Sequence, residues 1–179
     1  MLPLLVSGQE YWDEANECFL YGSDVTLKLE HSLISISKWE SKWQVPFYDS
    51  EKTGEMVKDY IRCMTLNSNV DDSAYDRLSF KNIDDINKYI ASPMTASTIK
   101  EDKSSKGSKE RITSELIYYW MTAFNIPFEC EKWHINRLIM LIRICSEKNK
   151  PSKKMSAREV MAQNKALNAA RRARLHSKG

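Results

Sequence analysis

The segment from 111 to 146 is the most strongly apolar part of the chain, and it limits the folds that the chain can adopt. Its large apolar residues recur at helical spacing over two stretches, and Asn125-Ile126-Pro127 interrupts the pattern between them. Apolar residues occupy more than one face of each stretch, so we expect an αα-hairpin at the centre of a core. Burying each large side chain stabilises such a core by roughly 1.5 to 3 kcal/mol.

The first thirty residues have the alternating pattern that is typical of β-strands. Leu2, Leu4 and Val6 lie at every second position, and residues 25–30 alternate apolar and polar side chains. This pattern predicts a small hairpin or sheet. Between the two strands, residues 12–19 mix acidic and aromatic side chains, and we predict an irregular connection there.

A helical pattern follows directly after this β element. Ile36, Trp39 and Trp43 lie on one helical face, and Pro46 prevents continuation, which predicts a helix over 32–44. The β-branched residues near its start also allow the preceding strand to extend further. The sequence alone leaves this boundary open.

Further helices are predicted between the first helix and the apolar segment. Thr53 is a suitable N-cap for a helix that ends near Leu66. Residues 73–92 predict two short helices, the second of which begins at Asn82. Residues 97–109 contain no large apolar side chain after their third position, so we expect an exposed, mobile loop there.

Charge is distributed unevenly along the chain. The net charge is +3, but residues 151–179 alone carry +7, which leaves residues 1–150 with −4. The basic residues of this tail are Lys153, Lys154, Arg158, Lys165, Arg171, Arg172, Arg174 and Lys178. A mildly acidic body is therefore followed by a strongly basic tail.

The basic tail is rich in good helix formers but poor in large apolar side chains. Ser156 and Glu159 have the spacing of a capping box. Since most apolar residues of the tail are alanines, we expect a helix that is stable only when a partner covers it. The large apolar residues that could anchor it are Val160, Met161, Leu167 and Leu175.

Three interpretations of the tail remain open at this stage. Its cations could neutralise the phosphates of a nucleic acid, could dock on an acidic protein surface, or could simply be solvated. We favour protein docking over nucleic acid, because no aromatic residue is interleaved with the basic ones. The predicted partner contacts of the tail are Lys153, Lys154, Arg158, Leu167, Arg171, Arg172 and Arg174.

The sequence contains no motif that predicts catalysis. The glycines are isolated and none precedes a Lys-Ser/Thr pair, so a Walker-type phosphate loop is excluded, and hydrolase and zinc-protease signatures are absent. Cys130 and His134 are four residues apart, which would place them on one helix face, but zinc needs more ligands than these two. We predict no enzyme, no metal and no cofactor, and we expect the four scattered cysteines to be reduced thiols.

Aromatic residues offer two interpretations, core packing and partner binding. Trp39 and Trp43 have the better claim to an interface, because they form a narrow apolar stripe among charged and hydroxyl side chains. Most of the other aromatic residues are assigned to the core. These two tryptophans complete the predicted partner-binding residues.

These patterns together predict an α+β fold that is mainly α. We expect a compact domain over 1–150, with a β element at about 1–30 packed on helices at about 32–146 and a loop at about 97–109, and a projecting basic helical tail over 151–179. No run of eighteen apolar residues exists, and the N-terminal residues lack a basic n-region. We therefore predict no membrane contact and no secretion signal.

Three stretches of the chain resemble the tail assembly chaperones of tailed bacteriophages. They are His31-Ser-Leu-Ile-Ser-Ile-Ser-Lys-Trp-Glu-Ser-Lys-Trp43, Glu115-Leu-Ile-Tyr-Tyr-Trp-Met-Thr-Ala-Phe-Asn-Ile-Pro-Phe-Glu-Cys-Glu-Lys-Trp-His134 and Met161-Ala-Gln-Asn-Lys-Ala-Leu-Asn-Ala-Ala-Arg-Arg-Ala-Arg-Leu175. The three stretches are distributed over residues 31–175, which is most of the length of the chain, and the resemblance is a likeness of sequence text rather than of a chemical signature.

The resemblance implies a non-catalytic protein of the host cell cytoplasm. Such a protein binds the long, helical tape measure protein before the tail tube polymerises, and it helps to recruit tail tube subunits, so the expected partners are the tape measure protein and the major tail protein. We also expect a homo-oligomer. The alternatives are a neck or tail protein that remains in the virion and, third, a nucleic-acid-binding protein that uses the basic tail.

Overall fold

The computed structural model describes residues 1–99, 111–149 and 157–175. The chain divides into two compact units, residues 1–147 and residues 148–179, which are described separately below. The fold is α+β and mainly α, with a small antiparallel β element at the N-terminus, as the sequence predicts. Most of the predicted loop at 97–109 and the predicted cap Ser156 lie outside the described residues.

The N-terminal β element consists of two antiparallel pairs. Strand β1 (Leu2–Val6) pairs with β4 (Val25–Leu29), and their inward side chains alternate with exposed ones, as predicted. Between them, β2 (Glu10–Asp13) pairs with β3 (Cys18–Tyr21). The predicted irregular connection over 12–19 is therefore wrong, because cross-strand pairing of acidic and aromatic residues extends the hairpin outward.

Helix α1 (Leu33–Trp43) confirms the prediction of a helix over 32–44. It begins where Ser32 and Ser35 form a reciprocal capping box, and it ends where Gln44 adopts a left-handed conformation with φ of 55°. Helix α2 (Gly54–Met64) begins after the predicted cap Thr53, whose side chain accepts a hydrogen bond from the Met56 amide. The two helices pack against each other.

Two shorter helices follow, α3 (Ser73–Asp76) and α4 (Phe80–Ala91). Helix α4 begins two residues before the predicted start, because Ser79 and Asn82 form a capping box that makes Asn82 the third helical residue. The side-chain amide of Asn82 also donates to the carbonyl of Leu5 at 3.0 Å, and this bond fixes α4 beside β1.

The apolar segment forms α5 (Ser114–Ala123), a 3-10 helix (Phe128–Lys132) and α6 (Ile135–Asn149). The predicted αα-hairpin is wrong in its packing, because α5 contacts α1 more extensively than it contacts α6. The buried Glu40 carboxylate explains this, since it accepts hydrogen bonds from the amides of Ser114 at 2.7 Å and Phe47 at 2.8 Å. A side chain of α1 thus holds the first turn of α5.

The hydrophobic core joins the β element to the helices. It is formed mainly by large apolar side chains from β1, β4, α1, α2, α5 and α6, which are Leu4, Val6, Leu27, Leu29, Leu33, Ile36, Trp39, Tyr60, Ile61, Met64, Ile117, Met121, Ile135 and Leu138. The second unit contains α7 (Ala157–Leu175), which contributes no buried residue. None of the described helices is both long enough and apolar enough to cross a membrane.

Candidate partner-binding surfaces

Helix α7 is the longest described helix, and every one of its nineteen residues is exposed. The most exposed of its large apolar side chains, Met161 and Leu175, are 74% and 72% exposed. Most helical stability in proteins comes from packing of a buried face, and α7 has no buried residue. The free energy that would hold α7 firmly as a helix must therefore come from a surface that covers it.

The cations of α7 are not spread evenly around the helix. Arg158, Lys165 and Arg172 are spaced by seven residues, which places them along one side at intervals of ~10 Å. We call these three residues the basic stripe. Arg171 and Arg174 lie on another side, near Leu167, and the alanines occupy much of the remaining surface. A partner with carboxylates at matching intervals would complement the basic stripe.

The remaining predicted tail contacts divide by position. Arg158, Leu167, Arg171, Arg172 and Arg174 are all exposed on α7. The predicted contacts at Lys153 and Lys154 lie outside the described residues.

Trp39 does not lie on an exposed surface. Its side chain is fully buried, its indole N–H donates to the carbonyl of Met56 at 2.9 Å, and its ring packs edge-on against Phe47. The expectation that Trp39 contacts a partner is therefore corrected, and the residue belongs to the core. A narrow apolar stripe on a short helix indicates burial, and it does not say whether the covering surface belongs to the same chain.

Trp43 lies at the edge of the same helix and is half-buried. Its indole N–H donates to the carboxylate of Asp59 at 2.9 Å, and that carboxylate also pairs with Lys42. This arrangement fixes the ring while leaving part of it accessible. Trp43 therefore remains a candidate contact, whereas its neighbour Trp39 does not.

A groove runs along the outer side of α6. One part has a volume of about 440 Å³ and an adjoining part about 300 Å³, and Met140 and Thr95 line both. The Arg137 guanidinium lies over the Trp133 ring, 4.3 Å from its centre, at one edge of the groove. The half-buried apolar residues on this side of α6 are Ile139, Met140, Leu141 and Ile144. The sequence assigned this whole helix to the core.

A buried histidine pair joins the starts of α1 and α6. The rings of His31 and His134 are 5.1 Å apart between centres, and the Ile135 amide donates to the His31 carbonyl at 2.7 Å. His31 also hydrogen-bonds the buried Tyr60 hydroxyl through Nδ1. The two histidines are 103 positions apart in the sequence, so no local motif could have revealed them.

Hydrogen bonds fix His134 in one neutral form. Its Nε2 donates to the Tyr89 carbonyl at 3.0 Å, while Nδ1 accepts from the backbone N–H of Asn136 at 3.3 Å. Tyr89 in turn donates to the Glu30 carboxylate, which also pairs with the N-terminal amine of Met1. This chain of polar groups is satisfied internally and forms a structural junction.

Burial lowers the pKa of both histidines. The pKa of His31 falls to about 3, first because burial disfavours the imidazolium and second because His134 lies beside it. Burial also lowers the pKa of His134, against the opposing effect of its hydrogen bond to the Tyr89 carbonyl. Both rings are therefore neutral at neutral pH.

The predicted pairing of Cys130 with His134 on one helix face is wrong. Cys130 lies in the 3-10 helix, whereas His134 precedes α6 and turns toward His31 and Tyr89. Within residues 1–99, 111–149 and 157–175, no three His, Cys, Asp or Glu side chains are grouped as metal ligands.

Comparisons with protein-family models, curated proteins and solved structures give no match to this chain.

Proposed function

We propose that this protein is a bacteriophage tail assembly chaperone that binds the tape measure protein and helps to recruit tail tube subunits. The observation that carries the proposal is α7, a nineteen-residue basic helix without a buried side chain. The resemblance of three stretches to tail assembly chaperones supports it independently of this geometry. The proposed role is non-catalytic, and its place is the host cell cytoplasm.

The physical basis of the proposed binding is the stabilisation of α7 by a covering surface. A long helical partner presents both apolar side chains and carboxylates, which complement the apolar residues and the basic stripe of α7. Ordering the helix costs conformational entropy, which lowers the affinity and favours reversible binding, as departure from the assembling tail requires. The groove along α6 offers a second place for apolar side chains of the same partner.

Co-expression with the tape measure protein of the same phage tests this proposal. We expect the tape measure protein to remain soluble and to co-purify with the wild-type chain. The variant Arg158→Glu/Lys165→Glu/Arg172→Glu should lose co-purification. The matched control Lys38→Glu/Lys81→Glu/Lys132→Glu reverses three exposed cations of the first unit and should retain it. An insoluble tape measure protein in the presence of the wild-type chain would contradict the proposal.

A virion structural role is the first alternative. A chaperone leaves the assembling tail, whereas a neck or tail component stays in the particle. Mass spectrometry of purified virions separates the two, and our proposal predicts that this chain is absent from them.

A nucleic-acid-binding role is the second alternative, and the basic stripe is the observation that favours it. Phosphate binding by three to five cations would weaken steeply as the salt concentration rises. A gel shift at two salt concentrations, with and without residues 151–179, distinguishes this role. A salt-sensitive shift that requires the tail would favour it over protein docking.

A further inference from the structure

The hairpin arm, which we define as residues 9–22, contacts the rest of the first unit very little. Its strands β2 and β3 contact chiefly each other. The arm leaves the β1–β4 sheet where two glycines meet, and a Cβ on Gly8 would lie only 1.7 Å from the Gly22 carbonyl oxygen. An isolated two-stranded hairpin is only marginally stable in water, and packing against another surface would stabilise it.

One face of the hairpin arm carries a cross-strand pair of aromatic residues. Trp12 and Phe19 are cross-strand partners whose rings meet edge to face, 4.9 Å apart between centres. They remain 49% and 56% exposed, so the contact between them covers only part of each ring. Glu10 is two positions from Trp12 and therefore lies on the same face of the hairpin.

The hairpin arm is also strongly acidic. Residues 1–27 contain no lysine or arginine, while Glu10, Asp13, Glu14 and Glu17 all lie in the arm. Asp13 is used locally, since it accepts hydrogen bonds from Ala15 and Asn16 in the turn, and these bonds lower its pKa. Among the described residues, no cation forms an ion pair with the other three carboxylates.

We propose that the hairpin arm binds a segment of a partner protein that is rich in lysine or arginine. Lysine and arginine side chains are attracted to the faces of exposed aromatic rings and to carboxylates, and the arm places both on one surface. A purely apolar partner would have to desolvate the carboxylates without compensation. A nucleic acid would be repelled by the same charges. The occupant that complements the arm is therefore a cationic protein segment.

This surface is distinct from the one that carries the proposed function. The basic stripe of α7 complements carboxylates, whereas the hairpin arm complements cations, so the two select different partner segments. The inference depends only on the geometry of the arm and would stand if the chaperone role were rejected.

Fluorescence anisotropy of the full chain with a labelled helical Ala/Lys peptide tests the inference. The matched probe carries Gln in place of each Lys and should bind at least about tenfold more weakly. Trp12→Ala/Phe19→Ala and Glu10→Gln/Glu17→Gln should each weaken binding of the Ala/Lys peptide by about tenfold. Because the arm contributes no described side chain to the core, both variants should retain the thermal melting of the wild type.

Two matched controls test whether the effect belongs to the arm. Phe80→Ala/Tyr119→Ala removes two exposed rings elsewhere, and Glu115→Gln/Glu129→Gln removes two exposed carboxylates elsewhere. Both should bind the Ala/Lys peptide within about twofold of the wild type. Equal losses in the arm and control variants would overturn the proposal. Analytical ultracentrifugation of the wild type and the arm variants tests a second copy of the chain as the occupant. If the wild type self-associates, and the arm variants lose self-association but still bind the peptide, the proposal is overturned in favour of a second copy.

Discussion

Helices α1 and α7 reach the same secondary structure by different physical means. Helix α1 has eleven residues, a capping box at its start and five buried residues, whereas α7 has nineteen residues and none buried. Residues with high helix propensity favour a helical conformation for α7, but most of the stability of a helix in a protein comes from a buried face. Helix α1 buries its apolar and polar groups inside the first unit, whereas those of α7 remain exposed, and our proposal assigns them to a partner.

The largest expected effect follows from the buried position of Trp39. Trp39→Ala should lower the free energy of unfolding by about 3–5 kcal/mol, because it leaves a cavity and removes the hydrogen bond to Met56. Urea denaturation, followed by the tryptophan fluorescence of the first unit, measures this change. Trp12→Ala makes the same substitution on an exposed residue and should cost less than about 0.5 kcal/mol. Similar costs for the two variants would contradict the assignment of Trp39 to the core.

The second effect is a loss of stability in acid, caused by the buried histidines. Both are neutral when folded, whereas the unfolded chain binds protons near pH 6.5. The stability that depends on a neutral His31 is complete above pH 6.5 and is lost as the pH falls toward its pKa of about 3, and the lowered pKa of His134 acts in the same direction. Between pH 6.5 and about 5, His31 takes up a proton in the unfolded chain but not in the folded one. This difference should lower the free energy of unfolding by about 2 kcal/mol. Urea denaturation across this range measures the slope.

The variant His31→Asn separates this effect from other acid-sensitive groups. Asparagine keeps a polar side chain beside Tyr60 but does not titrate, so the slope below pH 6.5 should become shallower even where the variant is less stable overall. A slope identical to that of the wild type would show that His31 does not cause the acid sensitivity.

A smaller effect is expected at the start of α1. Ser32→Ala removes the side chain that caps the helix and should cost about 1 kcal/mol, whereas Ser41→Ala, on the exposed side of the same helix, should change stability by less than about 0.5 kcal/mol. Thermal or urea denaturation measures both. Equal effects at the two serines would mean that the capping box contributes nothing to α1.

The smallest effect is expected on α7. Leu167→Ala should change the free energy of unfolding of the first unit by less than about 0.5 kcal/mol, since the residue is exposed and belongs to the second unit. The same variant should weaken co-purification with the tape measure protein. A loss of stability near that of Trp39→Ala would contradict the contrast between the two helices.

Local signals in the sequence were sufficient for the fold class and for several element boundaries. The helical spacing of Ile36, Trp39 and Trp43 predicted α1, and Thr53 predicted the start of α2, because caps and periodicity act over a few residues. The alternating pattern of β1 and β4 was equally local. The exposure of α7 also follows from its alanine-rich composition.

Features that depend on distant contacts could not be predicted. The histidine junction joins residues that are far apart in the chain, and the first turn of α5 is bound to α1 by the carboxylate of Glu40, which no local pattern marks. The hairpin arm was missed because its exposed aromatic residues break the alternation by which half-buried strands are recognised. The apolar stripe of α1 predicts that Trp39 is covered, but it does not identify whether the covering surface belongs to the same chain or to a partner.

Hydrogen–deuterium exchange of α7, with and without the tape measure protein, tests the central claim most directly. In the free protein, the amides of α7 should exchange at nearly the rate of an unstructured peptide, while those of α1 are protected. In the complex, the amides of α7 should exchange at least about a hundredfold more slowly. Rapid exchange of α7 in a complex that nevertheless co-purifies would show that the partner does not cover this helix, and would contradict the account.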